Sequence, residues 1–202
     1  MKMFTGIISA LGTIDSMECK NDVFHLIVRV PKMARKLSLG KSISVDGVCL
    51  TVARKLPYGF MADVIRATFS QTTLSKKKKG DRVNLELPVT VSDALSGHII
   101  LGHVDEVGTL KKMKHHGKNR VLTFSFSRDL SKLVVLKGSI AVNGVSLTIQ
   151  DRDSDTFSVA LVPHTLKITN LGDLQAGDAV NLEADIFARY ILGIFEKRDF
   201  VT

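Results

Sequence analysis

Apolar residues alternate with small or polar residues through most of the chain, which is the period of a β-strand and not of a helix. The clearest stretch spans residues 42–52 and is interrupted by Asp46-Gly47. Asp-Gly between two such runs predicts a two-residue hairpin, because both residues can adopt positive φ there. The same alternation predicts further strands at 23–30, 59–64, 83–87, 121–126, 156–161 and 180–184.

The chain contains an internal repeat. The segment 42–52 recurs at 139–149, an offset of 97 residues, and the same offset relates 80–86 to 177–183. Asn143-Gly144 then stands in place of Asp46-Gly47. We therefore expect two homologous domains, 1–97 and 98–185. Each is a set of short antiparallel strands, and a closed barrel suits so small a unit because it leaves no strand edge open.

The pattern changes after residue 185. Apolar residues then follow the spacing of one helix face, and Asp185 stands at a plausible N-cap position. The sequence predicts a C-terminal helix over 186–202 that covers either its own barrel or a second subunit, and we favour oligomerisation. The residues of this face are Phe187, Tyr190, Ile191, Ile194 and Phe195.

The composition of the chain argues against a membrane protein, a disulfide-rich secreted protein and a nucleic-acid-binding protein. No apolar stretch approaches the ~20 residues of a membrane span, and the N-terminus lacks a secretory cleavage site, so we expect a cytoplasmic protein that does not insert into membranes. The two cysteines are too few for a disulfide framework and predict reduced thiols.

The net charge of +8 would suit a nucleic-acid partner, but many of the clustered positive charges belong to one run of lysines, residues 76–79, before Gly80-Asp81. We interpret that run as a solvated turn and expect no nucleic-acid partner.

Five motifs occur in order over nearly the whole chain. They are Met3-Phe4-Thr5-Gly6-Ile7-Ile8, Asp46-Gly47-x-Cys49-Leu50-Thr51-Val52, Gly97-His98-x-x-x-Gly102-His103-Val104, Asn143-Gly144-Val145-Ser146-Leu147-Thr148, and Pro163-His164-Thr165-Leu166 with Thr169-Asn170-Leu171-Gly172. Together they resemble the riboflavin synthases. This resemblance implies two tandem homologous six-stranded Greek-key β-barrels with a C-terminal α-helix, assembled as a homotrimer through that helix. It also implies chemistry without metal or cofactor, and it suggests lumazine synthase as a partner.

The activity implied by the resemblance is a dismutation of two 6,7-dimethyl-8-ribityllumazine molecules. A four-carbon unit passes from one to the other, which gives riboflavin and 5-amino-6-(D-ribitylamino)uracil in the last step of riboflavin biosynthesis. A duplicated fold suits this reaction, because two near-identical sites can hold two molecules of one compound. The alternative is a non-catalytic antenna protein of the same fold that binds lumazine or flavin.

The resemblance also assigns catalytic candidates. Cys49 and Ser146 occupy equivalent positions of the two repeats, so their different side chains could distinguish the donor from the acceptor, although a buried Cys often acts only as a small hydrophobe. His103 is the preferred ligand contact and base, since imidazole titrates near neutral pH. For His98, a catalytic role and a structural role are equally open. Its spacing from His103 predicts that the two side chains lie on opposite faces of a strand. Further candidates are Lys137 and Ser42, with Asn143 as a polar neighbour.

The same resemblance groups the substrate-binding residues by barrel. Four departures from the family pattern, Ala67, Thr73, Ser75 and Ser96, affect mainly the first site. The first barrel is assigned Gly6, Ile7, Ile8, Cys49, Leu50, Thr51, Asp63, Val64, Ile65, Arg66, Ala67 and Thr68. The second is assigned Gly102, His103, Val104, Lys137, Ser146, Leu147, Thr148, Val162, Pro163, His164, Thr165, Leu166 and Lys167.

Overall fold

The computed structural model describes residues 3–198, which form two closed antiparallel β-barrels of six strands each. The first barrel has the order β1-β2-β5-β4-β3-β6 and the second has the equivalent order β7-β8-β11-β10-β9-β12. The strands are β1 Ala10–Lys20, β2 Val23–Arg29, β3 Ser42–Val45, β4 Val48–Leu56, β5 Gly59–Ile65 and β6 Arg82–Glu86, then β7 Glu106–His116, β8 Asn119–Ser125, β9 Ser139–Val142, β10 Val145–Arg152, β11 Thr156–Leu161 and β12 Ala179–Ala184. The predicted pair of six-stranded barrels is confirmed.

Alternation along each strand decides which side chains fill a barrel and which lie outside it. In β4, Val48, Leu50 and Val52 are buried in the core of the first barrel, whereas Cys49 and Thr51 point outward. The equivalent strand β10 repeats this arrangement in the second barrel. The two repeats therefore present matching outer faces, because successive side chains of a strand point to opposite sides.

Short helices connect the strands, and a longer one ends the chain. They are α1 Pro31–Ala34, α2 Arg66–Gln71, α3 Pro163–Ile168 and α4 Ile186–Arg198, with 3₁₀ turns at Thr73–Lys76, Leu130–Lys132 and Asn170–Gly172. The amide of Phe187 donates to Oδ1 of Asp185 at 3.0 Å, so the predicted N-cap of α4 is confirmed. The predicted helix residues 199–202 lie outside the described residues. None of the helices in the described part of the chain is long and apolar enough to span a bilayer.

The two barrels meet at the hairpins predicted from Asp46-Gly47 and Asn143-Gly144. Both residues of each hairpin have positive φ, as the sequence predicts. A Cβ atom on Gly47 would lie only 2.8 Å from the amide nitrogen of Gly144, so glycine is required for the barrels to approach this closely. Around this contact, Nδ2 of Asn84 donates to the carbonyl of Asn143 and Nδ2 of Asn181 donates to the carbonyl of Asp46.

One lysine of the predicted solvated run is mostly buried and forms an ion pair. Nζ of Lys77 lies 2.7 Å from Oδ2 of the fully buried Asp46, at the junction between the barrels. Burial raises the pKa of Asp46, and Lys77 opposes this shift. At the equivalent positions the second repeat carries Asn143 and Leu174, neither of which is charged. The sequence prediction was wrong here because the turn folds back over the hairpin of its own barrel.

Candidate functional site

The outer face of β3, β4 and β5 brings together several of the predicted residues of the first barrel. Ser42 pairs with Thr51 across the two strands, and Ser44 pairs with Cys49. Asp63 and Ile65 are exposed at the end of β5, where α2 begins with Arg66, Ala67 and Thr68. This surface combines hydroxyl, carboxylate and thiol groups with an exposed aliphatic side chain. It is suited to a flat ligand that has polar edges.

The second barrel presents the equivalent surface on β9, β10 and β11. Ser139 pairs with Thr148, and Ala141 pairs with Ser146. Val162 is half exposed and precedes α3, which carries the remaining predicted residues Pro163, His164, Thr165, Leu166 and Lys167. The two surfaces therefore share one geometry but differ chemically, chiefly in Cys49 against Ser146, while Ser44 and its counterpart Ala141 are both buried.

Three of the predicted binding residues that lie in strands do not present their side chains to these surfaces. Leu50 and Val64 point into the core of the first barrel, and Leu147 points into the core of the second. They follow outward-facing residues on the same strands, so alternation turns them inward. Only their backbone can contribute to the outer face.

Two of the predicted binding segments lie on the barrel opposite to the one assigned from the sequence. Each is a loop that leaves its own repeat and covers the other barrel, and we call them the crossing loops. The first crossing loop, residues 5–8, belongs to the first repeat but lies over the second barrel, where the amide of Ser146 donates to the carbonyl of Gly6 at 3.0 Å. Ile8 is buried in the core cluster of that second barrel. Sequence motifs alone assigned Gly6, Ile7 and Ile8 to the first-barrel site, and this grouping was wrong.

The second crossing loop, residues 101–104, makes the reciprocal exchange. The amide of Cys49 donates to the carbonyl of Gly102 at 2.9 Å, and Val104 packs against the core of the first barrel. Gly102 and Val104 therefore lie with Cys49 and not with Ser146, whereas His103 faces a cavity beside Glu183 and Arg189. Each outer face is completed by a loop from the other repeat, so each candidate site is built by both halves of the chain.

Two glutamates that the sequence analysis did not single out hold the crossing loops. Oε1 of Glu86 accepts from the amide and hydroxyl of Thr5 at 2.7 and 2.8 Å, and its Oε2 accepts from the amide of Gly6 at 2.9 Å. Glu183 accepts from the amides of Leu101 and Gly102 at 2.8 and 3.0 Å. Burial raises the pKa of Glu86, and it raises the pKa of Glu183 to about 7. The sequence feature that could have identified these glutamates is the repeated Val-Asn-Leu-Glu, in which a charged residue ends an otherwise apolar strand in both repeats.

The two candidate histidines occupy different surroundings, and neither lies in a strand of the structure. His98 is buried, and its Nδ1 lies 2.7 Å from Oγ of Ser146. Burial lowers the pKa of His98, which favours a neutral ring, while Asp185 opposes the shift. His103 is exposed and lines a cavity of about 300 Å³ with Leu101, Glu183 and Arg189. The predicted placement on opposite faces of one strand was wrong because residues 97–105 are irregular.

Lys137 has an unusual backbone conformation for a lysine. Its φ is +64°, while Gly40 at the equivalent position of the first repeat has φ +72°. The amide of Lys137 donates to the carbonyl of Ile149, and the amide of Gly40 makes the equivalent bond to Val52. The side chain of Lys137 is exposed, beside the strand that carries Thr148. A left-handed conformation is costly for a residue with a Cβ atom. The backbone at position 137 therefore favours glycine, although the residue there is a lysine.

Known proteins match this arrangement. The lumazine binding domain model matches residues 5–88 and again residues 101–185. Riboflavin synthase from Bacillus subtilis strain 168 is 38% identical over 197 residues, which cover 96% of this chain and 91% of that protein. The riboflavin synthase from Actinobacillus pleuropneumoniae is 36% identical over 189 residues, covering 94% of this chain and 88% of that protein. The chain belongs to the riboflavin synthase family.

Solved structures give the same fold. LumP complexed with 6,7-dimethyl-8-(1'-D-ribityl) lumazine superposes with a TM-score of 0.81 at 25% identity, covering 90% of this chain and 98% of that chain. LumP complexed with riboflavin superposes with a TM-score of 0.82 at 27% identity, with the same coverage. The riboflavin synthase relatives above are thus more similar in sequence than these ligand-bound structures.

One departure from the riboflavin synthase pattern has a structural account. The amide of Thr73 donates to Oδ1 of Asn181, as the amide of Asn170 donates to Oδ1 of Asn84, so the backbone connection survives in both repeats. Asn170 also donates to Oδ1 of Asp46, whereas the hydroxyl of Thr73 is buried and has no hydrogen-bond partner among residues 3–198. Nothing in the structure explains the departures Ala67, Ser75 and Ser96, all of which are exposed.

Proposed function

We propose that the protein is a riboflavin synthase that dismutates two molecules of 6,7-dimethyl-8-ribityllumazine. One molecule donates a four-carbon unit to the other, which gives riboflavin and 5-amino-6-(D-ribitylamino)uracil. The observation that carries the proposal is the pair of matched outer faces, one on each barrel, within a chain that belongs to the riboflavin synthase family. Two equivalent sites are what a reaction between two molecules of one substrate requires.

The catalytic contribution of such a protein is chiefly one of position. Holding two reactants in a productive orientation can supply up to about 7–11 kcal/mol of the barrier. The difference between Cys49 and Ser146 then breaks the symmetry between donor and acceptor. His103 acts as base toward the methyl protons of the lumazine, and Lys137 and Ser42 complete the polar surroundings of the reacting rings.

His98 and Ser146 act together in the second site. A neutral imidazole 2.7 Å from the serine hydroxyl can accept its proton, so the oxygen becomes a better nucleophile or hydrogen-bond partner. The ribityl chains and the pyrimidine edges are bound by Thr51 and Asp63 in the first site and by Thr148 and Thr165 in the second. The exposed aliphatic side chains Ile65 and Val162 pack against the ring faces.

The reacting pair of sites forms between subunits of a homotrimer, with the first-barrel site of one subunit facing the second-barrel site of its neighbour. Support comes from α4, whose large apolar side chains are more than half exposed in the single chain: Phe187, Tyr190, Ile191, Ile194 and Phe195. Analytical ultracentrifugation tests this. Ile194→Asp on α4 should dissociate the oligomer, whereas Val91→Asp, at a fully exposed loop position, should not. An unchanged mass for Ile194→Asp would contradict the assignment.

We further propose a cytoplasmic location and lumazine synthase as the partner that supplies substrate. Size-exclusion chromatography of the two purified proteins, alone and mixed, tests that partnership through a shift of the riboflavin synthase to a larger complex. Independent elution at high concentration of both would contradict it.

Turnover distinguishes the synthase from the second candidate, a lumazine- or flavin-binding antenna protein. The LumP complexes with lumazine and riboflavin favour ligand binding by this fold without deciding for catalysis. The test is incubation of the purified protein with 6,7-dimethyl-8-ribityllumazine while riboflavin absorbance is followed. Formation of riboflavin supports the synthase. Tight binding of the lumazine without conversion means the antenna protein.

A further inference from the structure

Each crossing loop is fixed by a carboxylate from its own barrel at the point where it covers the other barrel. Glu183 is the next-to-last residue of β12 and is 6% exposed, and it receives hydrogen bonds from the second crossing loop through both of its oxygens. The adjacent carbonyl, that of Gly102, accepts from the amide of Cys49. A chain of two bonds thus joins the carboxylate of Glu183 to the backbone of Cys49.

We propose that Glu183 is a positioning residue, whose carboxylate holds the second crossing loop against Cys49 and so sets access to that thiol. Glu86 does the same for the first crossing loop against Ser146. This inference rests on the proposed function, since it concerns the two side chains assigned to the reaction there.

The close packing of the loop explains why its position matters. A Cβ atom on Gly102 would lie 2.6 Å from Cβ of Cys49, so the loop backbone is in contact with the cysteine itself. Any retreat of the loop uncovers one side of the thiol. The cavity of about 300 Å³ beside Glu183 and His103 gives the loop room to retreat when its hydrogen bonds are lost.

The carboxylate suits this role better than a neutral amide. Above its pKa of about 7, Glu183 is ionised; both of its oxygens then accept, and bonds from backbone amides to an ionised acceptor are the stronger kind. A glutamine in its place keeps the size but offers one acceptor and one donor, so one loop amide would face an NH₂ group. Glu183→Gln therefore weakens the anchor while it changes the packing least.

Alkylation of the two cysteines by iodoacetamide measures loop position directly. Cys19 is exposed near the end of β1 and takes no part in the hydrogen bonds that hold either crossing loop, so it serves as an internal reference in every sample. We expect Glu183→Gln to raise the rate of Cys49 relative to Cys19 by about tenfold, the factor that corresponds to one lost charge-assisted hydrogen bond. Glu86→Gln is the matched control and should leave this ratio within about twofold of the original.

Moving the thiol from position 49 to position 146 should exchange the expected effects of the two glutamate variants. In a chain carrying Cys49→Ser and Ser146→Cys, Glu86→Gln should accelerate alkylation at position 146 and Glu183→Gln should not. Equal acceleration by both variants at both positions would overturn the proposal, because it would mean general loosening. An unchanged ratio in folded Glu183→Gln would also overturn it.

A third variant covers the case in which Glu183→Gln does not fold. Glu183→Asp keeps the charge but shortens the side chain, so it should raise the Cys49 ratio by a smaller factor, and no increase would contradict the role. Alkylation needs no substrate. If the unaltered protein failed to convert lumazine, the proposed function would fall while the alkylation comparison still decided the role of Glu183.

Discussion

Nδ1 of His98 lies 2.7 Å from Oγ of Ser146, which joins the segment between the barrels to the outer face of the second barrel. Cys49 and Ser146 occupy equivalent positions of the two repeats. Among the described residues, a hydrogen bond to another side chain is seen for Ser146 but not for Cys49. The two sites of this riboflavin synthase family member differ in the environment of the side chain as well as in its identity.

The first prediction is that His98 and Ser146 act as a unit in turnover. We expect His98→Ala and Ser146→Ala each to lower kcat by about tenfold to a hundredfold, and the double variant to be no slower than the slower single variant. Steady-state rates with lumazine, together with melting temperatures of all three variants, provide the measurement. Multiplicative losses in the double variant would show that the two residues act independently.

A second prediction concerns the buried pair Asp46 and Lys77. Lys77→Leu should destabilise the protein by about 3–5 kcal/mol, because it leaves the Asp46 carboxylate buried without a counter-charge. Adding Asp46→Asn should restore most of this loss, since the pair then matches Asn143 and Leu174 of the second repeat. Urea unfolding checks both changes. A double variant as unstable as Lys77→Leu would contradict the explanation.

Lys137 provides a third prediction, in which stability and activity separate. Lys137→Gly should keep or raise the free energy of unfolding by up to about 1 kcal/mol, because glycine relieves the strain at φ +64° but gains freedom when unfolded. It should nevertheless lower turnover. The reciprocal Gly40→Lys, which would meet no atoms within 4 Å at its Cβ, should cost about 1 kcal/mol because of its left-handed backbone, and should leave turnover unchanged. Matched turnover in Lys137→Gly and the original chain would remove Lys137 from the site.

The fourth prediction is a pH dependence of stability that originates at Glu183. Its pKa is raised from the ordinary 4.5 to about 7 in the folded chain, so the folded state binds more protons than the unfolded state in this range. The resulting stability is present below pH 4.5 and is lost as the pH rises through about 7, an effect of up to about 3 kcal/mol. Urea unfolding at pH 5 and pH 8 should show a smaller loss in Glu183→Gln than in the original chain. Identical losses in the two chains would contradict the shift.

The sequence predicted the architecture because the repeat and the strand alternation are local signals. Asp46-Gly47 and Asn143-Gly144 specify their hairpins, and Asp185 specifies the start of α4, through interactions within a few residues. The exchange of the crossing loops was not predictable in the same way. It depends on Ile8 and Val104 packing into the core of the opposite barrel, a contact between residues far apart in the chain.

For the candidate site, the motifs named residues but did not predict how the fold groups them. Motifs identified Cys49, Ser146, His98 and His103, but they could not show that His98 reaches Ser146, because residues 97–105 have no regular periodicity. The anchoring glutamates were missed because a Glu at a strand end is ordinarily solvated. Only the buried amides of the crossing loops reveal what they bind.

The stoichiometry of the reaction tests the central claim of a dismutation between two equivalent sites. Purified protein treated with a chelator is incubated with 6,7-dimethyl-8-ribityllumazine, and substrate, riboflavin and 5-amino-6-(D-ribitylamino)uracil are quantified chromatographically over time. We predict that two lumazines disappear for each riboflavin and each diaminouracil formed. One lumazine consumed per riboflavin, or lumazine bound but never converted, would contradict the account.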